Sequence, residues 1–391
     1  PGGDLLWPQF RGPGGEGHVS QTGLPLEWSE TKNIAWKAPI EGLGWSSAVI
    51  QGDQVWLTTA VELPLPPKPV EAAPPAAPPT DAKATEAKPG EAAPPAAKPA
   101  AQAAQEYPPV SLRALCYDRN TGKLVHDVEI FKIENPGRIH KKNSHASPTP
   151  VIEGNRLYLH FGKHGTACIT DAGQIVWKMQ ELVYEHRHGP GGSPVIYNDL
   201  LILSCDGTDV QYVVALDKNT GKIRWKEDRK GRMAYTTPLL ATVDGQVQLI
   251  SSGGDAVIAY EPATGKEIWR CAYDGYSLVP RPVIAHGIVF VCTGYDNPQV
   301  YAVKLGGKGD VTETHVAWKI KKPTMPRNAS PLVIGDELYL VNDAGIVSVL
   351  DARTGEEHYH ERIGGNFSAS PSLVDGRIYL LDEDGKCTVI A

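Results

Sequence analysis

The strongest constraint on this chain is a repeat. A residue followed by proline recurs at Ser147-Pro148, Ser193-Pro194, Thr237-Pro238, Arg281-Pro282, Ser330-Pro331 and Ser370-Pro371, at steps of 46, 44, 44, 49 and 40 residues. Strand-patterned repeats of roughly 40 to 50 residues specify the blades of a propeller. Each pair opens a similar unit: an apolar strand (SPVIYND, SPLVIGD), a turn, a second strand (LLILSC, ELYLVN), then a third and a fourth. Four strands per unit, repeated around a ring, hide the long sheet edges that would otherwise template aggregation.

The third and fourth strands share a turn, seen in LDKNTGKIRW from Leu216, YEPATGKEIW from Tyr260 and LDARTGEEHY from Leu350. Its Asp can accept backbone N–H bonds, its Thr suits an ST-type turn, and its Gly supplies the positive φ a short hairpin loop requires. Gly122, Gly221, Gly265 and Gly355 fill that place. An aromatic four residues later falls on the outer strand, where a flat ring can cover the seam to the next blade. Trp177, Trp225 and Trp269 are expected there, with Trp318 and Trp36 in matching contexts.

Composition agrees with an all-β fold. The 391 residues include 40 Gly, 33 Pro and only 3 Met, with Val, Ile, Tyr and Thr in short runs bounded by turn residues. The formal charge of −7, with both signs interspersed, offers no basic footprint for nucleic acid. No apolar run is long enough for a membrane-spanning helix. The six cysteines (116, 168, 205, 271, 292, 387) lie mostly inside strand-like runs and read as buried thiols, with room left for an occasional disulfide.

One stretch interrupts the pattern. Residues 61–109 hold 14 of the prolines in an Ala/Pro/Lys/Glu-rich tract that cannot form a ladder, so they read as a disordered insertion within the first blade. The flanks (SSAVIQGDQVWLTTA and SLRALCYDRNTGKLVHDVEIF) read as two halves of one unit. Residues 1–391 therefore form a single domain. Units begin near 46, 147, 193, 237, 281, 330 and 370, which makes seven, the last with three strands. Residues 33–39 (NIAWKAP) read as an outer strand that closes the ring onto that last blade.

The A/L-x-D-x-x-T-G-K/E-x-x-W pattern at 44-residue spacing resembles the PQQ-type (pyrroloquinoline quinone) propeller repeat of quinoprotein dehydrogenases and of BamB-like outer-membrane assembly lipoproteins. The opening Trp7-Pro8-Gln9-Phe10-Arg11-Gly12 is similar to the start of secreted bacterial proteins with such repeats. The resemblance implies a periplasmic or secreted protein. It also implies that the complete ring has eight blades, one more than is countable here.

First strands line a propeller's axis, so the loops entering them share one face with the loops between second and third strands. That face gathers Trp45, His145, His188, Tyr235, Arg281, Arg327, Asn328 and Asn366 as candidate ligand-binding residues around a central mouth. Arg281 stands where other units carry Ser or Thr, and its planar fork suits carboxylate or phosphate. The plainer reading is that these side chains cap strand ends and tie loops, Arg281 pairing with Asp255 or Asp296.

No metal site is expected, because His186-x-His188 has no matching cysteines or carboxylates. For a quinoprotein dehydrogenase the resemblance would require a calcium site, an Asp base (Asp206, Asp209 or Asp296) and adjacent cysteines over PQQ; the cysteines here are never adjacent. No other catalytic motif stands out. The expected function is a non-catalytic, cofactor-free scaffold that binds a protein, a peptide or a small ligand through its loop face, with the dehydrogenase as the alternative.

Overall fold

The computed structural model describes residues 5–65 and 107–391. Seven sheets, antiparallel except for one parallel pair each in blades 4 and 7, follow one another along the chain as the blades of a propeller. Their inner strands are Val49–Gln51, Val151–Glu153, Val195–Tyr197, Leu239–Val243, Val283–Ala285, Leu332–Ile334 and Ser372–Val374. Blades 1 to 6 end in the outer strands Leu124–Ile133, Ile175–Met179, Ile223–Asp228, Glu267–Ala272, Val316–Lys321 and Glu357–Arg362. Blade 7 stops at its third strand, Cys387–Ile390, as its sequence suggested. Among the described residues helix is confined to two 3-10 turns.

The hydrophobic cores lie between blades. The cluster around Trp56, Leu112 and Ile130 of blade 1 continues into Leu157, Leu159 and Phe161 of blade 2. Five further clusters repeat this for every seam up to blades 6 and 7, where Leu332 and Val349 meet Phe367 and Ile378. Each sheet buries both faces, which is why the strands read as continuous apolar runs rather than strict alternation.

The outer-strand tryptophans join the seams. Trp177 Nε1 donates to the Lys218 carbonyl at 2.9 Å, Trp225 to Pro262 at 3.1 Å and Trp318 to Ala352 at 3.1 Å. Each ring lies over the turn glycine of the next blade, where a Cβ would come within 2.6 Å at Gly221, 2.6 Å at Gly265 and 2.7 Å at Gly355. The glycine is thus required twice, for a φ of +73° to +79° and for the ring's approach. The turn Asp works as its chemistry demands: Asp118 accepts from the N–H groups of Asn120 and Thr121 and from the Thr121 hydroxyl, which holds its carboxyl below the usual range.

Several expectations need correction. Trp269 sits on an outer strand but does not dock on a turn glycine, because blade 5 replaces that turn with a longer connection. Its Gly309–Asp310 strand instead pairs in parallel beside Trp269, and the indole turns inward to Gln248 at 3.0 Å. Residues 33–39 join no sheet. Trp36 nevertheless docks like the others, donating to the Arg119 carbonyl at 2.8 Å over Gly122 of blade 1. The insertion is shorter than 61–109: Glu62 pairs with Val110, and Leu63 N–H donates to Pro109, so the ladder absorbs both ends. Residues 66–106 lie outside the described residues.

The repeat register also shifts in one blade. The equivalent of Ser193-Pro194 is Thr149-Pro150, two residues beyond Ser147-Pro148, as the hydrogen bonds show. Ser47 N–H donates to Thr149 Oγ1, Thr149 to Ser193 Oγ, Ser193 to Thr237 Oγ1, Arg281 to Ser330 Oγ, and Ser330 to Ser370 Oγ, all at 2.9–3.0 Å. Where the residue before the proline is small and hydroxylated, its hydroxyl stitches neighbouring inner strands together around the axis. Arg281 donates into this chain but has no hydroxyl with which to accept.

Candidate functional site

The axis is filled by the chain's own N-terminal segment. Leu6–Trp7 pairs with the inner strand of blade 1, and the Pro8 carbonyl accepts from Ile152 of blade 2. The segment then crosses to the far side of the ring. There Arg281 Nη1 donates to the Phe10 carbonyl at 3.2 Å, and Arg11 Nη2 donates to the Pro331 carbonyl at 2.9 Å. It turns back through Gly12, Gly14, Gly15 and Gly17, all at positive φ, and leaves as His18–Val19, paired in parallel with the inner strand of blade 7. One short segment therefore belongs to the sheets of both the first and the last blade.

The turn is so tight that only glycine fits. A Cβ on Gly12 would lie 2.3 Å from the Trp7 ring, and one on Gly15 would meet the Arg281 guanidinium. Pro13 and Gly14 form the exposed apex beneath the loop face. Arg281 is 2% exposed and lies in the channel wall against this segment, paired with neither Asp255 nor Asp296. Arg11, which sequence reasoning passed over, is 5% exposed beside it.

The remaining candidates do not gather into one cluster. Arg327 and Asn328 are held by blade 6: Asp343 accepts from the Arg327 N–H at 3.4 Å and from Asn328 Nδ2 at 3.0 Å, while the Arg327 guanidinium lies over Tyr295. Asn366 is exposed, and its carbonyl accepts from Glu383 N–H. Trp45 is exposed at the entry to blade 1. Tyr235 leans against His188, ring centroids 6.0 Å apart, and burial raises its hydroxyl pKa to about 12.

His145 and His188 belong to a histidine-rich wedge between blades 2 and 3. His145 Nδ1 and His164 Nε2 are 3.2 Å apart. His160 bonds Thr166 through Nδ1 at 2.9 Å and Tyr184 through Nε2 at 3.1 Å. His186 packs edge-on to Tyr184 and over Gly162. Burial lowers the pKa of His145 to about 4 and those of His160 and His164 to about 3, so these imidazoles are neutral at pH 7. Among the described residues no group of three or more His, Cys, Asp or Glu side chains is arranged to hold a metal.

Asp206, weighed in the sequence as a catalytic base or a turn residue, is neither. It lies 3% exposed at the seam of blades 3 and 4 and accepts from Arg229 Nε at 2.8 Å and from Nη2. Arg229 also donates to Ser251 Oγ at 2.9 Å. An ion pair this buried is a structural tie. Its sequence signal, a turn-like Asp and one Arg of the charged run 228–232, 23 residues apart, does not join the two.

The loop face keeps several large apolar side chains in solvent: Trp45 (57% exposed), Val183 (73%), Val279 (37%) and Tyr295 (61%), with Ile40 and Leu43 in the Trp45 loop and Val210 in a loop of blade 3. A cleft of about 360 Å³ exists on the opposite face, lined by Tyr197, Asn198, Arg224 and Trp225, but it gathers no catalytic arrangement.

The chain matches the family model described as outer membrane protein assembly factor BamB over residues 111–228, 209–356 and 309–391. It is 26% identical over 189 residues to the outer membrane protein assembly factor BamB of Yersinia pestis; the match covers 46% of this chain and 46% of that protein. The crystal structure of BamB from Moraxella catarrhalis superposes with a TM-score of 0.52 at 16% identity, covering 72% of this chain and 78% of that one. A quinohemoprotein alcohol dehydrogenase from Comamonas testosteroni gives a TM-score of 0.40 at 12% identity over 70% of this chain and 67% of that one.

Proposed function

This chain belongs to the family of the outer membrane protein assembly factor BamB, and from that membership we propose that it is a non-catalytic scaffold in the bacterial envelope, periplasmic or secreted, that holds a protein partner against its loop face. The observation that carries the proposal is the combination of exposed apolar side chains on that face with a channel closed by residues 5–19. Scattered exposed apolar residues are ordinary, but large ones spread over one loop face suit a broad protein contact. The relatives' name points to the assembly of outer-membrane proteins as the process served.

The dehydrogenase alternative fits poorly. PQQ would have to lie near the axis under the loop face, where residues 10–15 now pack against Arg281 and Pro331. Glu16, a carboxylate beside that place, feels the charges of Arg281 and Arg11, an environment unlike a calcium site. The residues present therefore do not fit the cofactor.

Photocrosslinking in native envelopes tests the reading. A benzophenone amino acid in place of Tyr295 or Trp45 is expected to capture a component of outer-membrane protein assembly, whereas one in place of Tyr197 on the opposite face is not. Equal capture from both faces, or dye-linked alcohol oxidation after loading with PQQ and calcium, would overturn it.

A further inference from the structure

Two of the three buried arginines among the described residues, Arg11 and Arg281, are neighbours at the axis. Arg229 shows how the chain handles a buried guanidinium when it has an acidic partner, with Asp206 accepting two of its N–H groups. Arg11 and Arg281 have nothing comparable. Neither has a carboxylate within ion-pair distance among the described residues, and each keeps one buried nitrogen without a hydrogen-bond partner, Nη1 of Arg11 and Nε of Arg281. Their other bonds go only to main-chain carbonyls: Gly15, Glu16 and Pro331 for Arg11, Phe10 for Arg281.

Burial is costly for a charge that lacks a counter-ion, and a second like charge beside it adds to that cost. Both effects are visible: burial, and for Arg11 the neighbouring Arg281, lower the two guanidinium pKa values to about 9 and about 10. Glu16 lies near both but makes no ion pair with either, and burial raises its own pKa. Ser would have served at position 281, as it does at 193, 330 and 370, and would have completed the hydroxyl stitching around the axis. Instead the chain places a cation there and folds a second one over it.

We propose that Arg11 and Arg281 form a buried site for one small oxyanion, a carboxylate or a tetrahedral anion of phosphate or sulfate size, held at the hub beneath the exposed apex of Pro13 and Gly14. The two unpartnered N–H groups supply charge-assisted hydrogen bonds, and the forked guanidinium matches such oxygens. The anion enters by displacing the glycine-rich turn, whose backbone no side chain of its own anchors except Arg11. The site is separate from the loop-face contact above, and either can fail without the other.

Thermal unfolding of the full chain in sulfate, phosphate or acetate, at an ionic strength held constant with chloride, tests this. One oxyanion is expected to raise Tm saturably, by at least about 3 °C, as a ligand specific to the native state does. Comparing the tetrahedral anions with acetate tells which class the site takes. Arg281→Ser, which restores the hydroxyl its neighbours use, is expected to fold and to lose the oxyanion effect. Glu16→Gln is expected to saturate at an about tenfold lower concentration, because a repelling carboxylate has gone. A rise no larger than in chloride, or an equal rise in Arg281→Ser, overturns the proposal. Should Arg281→Ser fail to fold, calorimetric titration of the unaltered chain decides: one anion per chain supports the site and no heat of binding sinks it.

Discussion

The Trp177 indole donates to the Lys218 carbonyl 41 positions later while its ring covers Gly221, so one side chain satisfies a turn and closes a seam at once. Trp177→Ala is therefore expected to destabilise the chain by about 3 to 5 kcal/mol. Gly221→Ala should also destabilise, since its Cβ would meet the ring at 2.6 Å and its φ is +73°. In the Trp177→Ala background the same change should cost less, because only the backbone strain remains. Urea unfolding of the four proteins measures this coupling, expected at about 1 kcal/mol or more; strict additivity would show that the ring and the glycine do not meet.

The histidine wedge predicts acid sensitivity. An unfolded histidine titrates near 6.5, whereas His145 titrates at about 4 and His160 and His164 at about 3 in the folded chain. Below pH 6.5 the unfolded state therefore binds more protons, and stability is lost as the pH falls from 6.5 toward about 3. Three such groups set an upper limit of about 4 kcal/mol per pH unit. His164→Gln should flatten the pH dependence of the urea midpoint by about one proton; an unchanged slope would mean that the wedge opens before it titrates.

Breaking the buried pair at the seam of blades 3 and 4 should be severe. Asp206→Ala leaves Arg229 buried and uncompensated, which is expected to cost about 3 to 5 kcal/mol. Asp206→Leu combined with Arg229→Met should recover most of that loss, because neither change then strands a charge. If the double variant is as unstable as the single one, packing rather than charge governs the seam.

Shortening the insertion should matter little. The strands around it pair through Glu62 and Val110, and the Leu63–Pro109 hydrogen bond closes the ladder without any residue from 66–106. Replacing 66–106 with a short Gly/Ser loop is expected to leave Tm within about 3 °C, since loop-closure entropy changes slowly with length. A larger loss would reveal contacts between that segment and the ring.

What was legible in the sequence followed from local chemistry. The Asp-x-x-Thr-Gly turn and the tryptophan after it are read within ten residues, and they led to the blades, their order and the outer strands. Trp269 looked the same, yet its docking partner is supplied by the next blade, where the turn is missing. Ser147-Pro148 and Thr149-Pro150 are two residues apart, a shift that keeps the same side chains facing the same way, so alternation could not choose between them. The hub was invisible for a different reason. Its two strands are two residues long, and one of them, His18–Val19, finds its partner 355 positions away. Arg281 stands out in the sequence as an arginine where other units carry Ser or Thr, but its neighbour Arg11 carries no pattern that joins the two.

The segment that fills the axis is synthesised before the blades, and its final docking partners lie at the far end of the ring. Gly23 bonds Asp375 352 positions later, and Arg11 reaches Pro331 across 320. At synthesis rates of roughly 5 to 20 residues per second, these partners appear on the order of 20 to 70 seconds after the segment itself. For that interval Phe10, Arg11 and the His18–Val19 strand lack their partners, while Leu6–Trp7 can already pair with blade 1 and blades 1 to 6 can stack in sequence along the growing chain. During that interval the growing protein is an open arc whose axial segment is docked only at blade 1. A chaperone that shields residues 10–19 would act while blades 5 to 7 are still unmade.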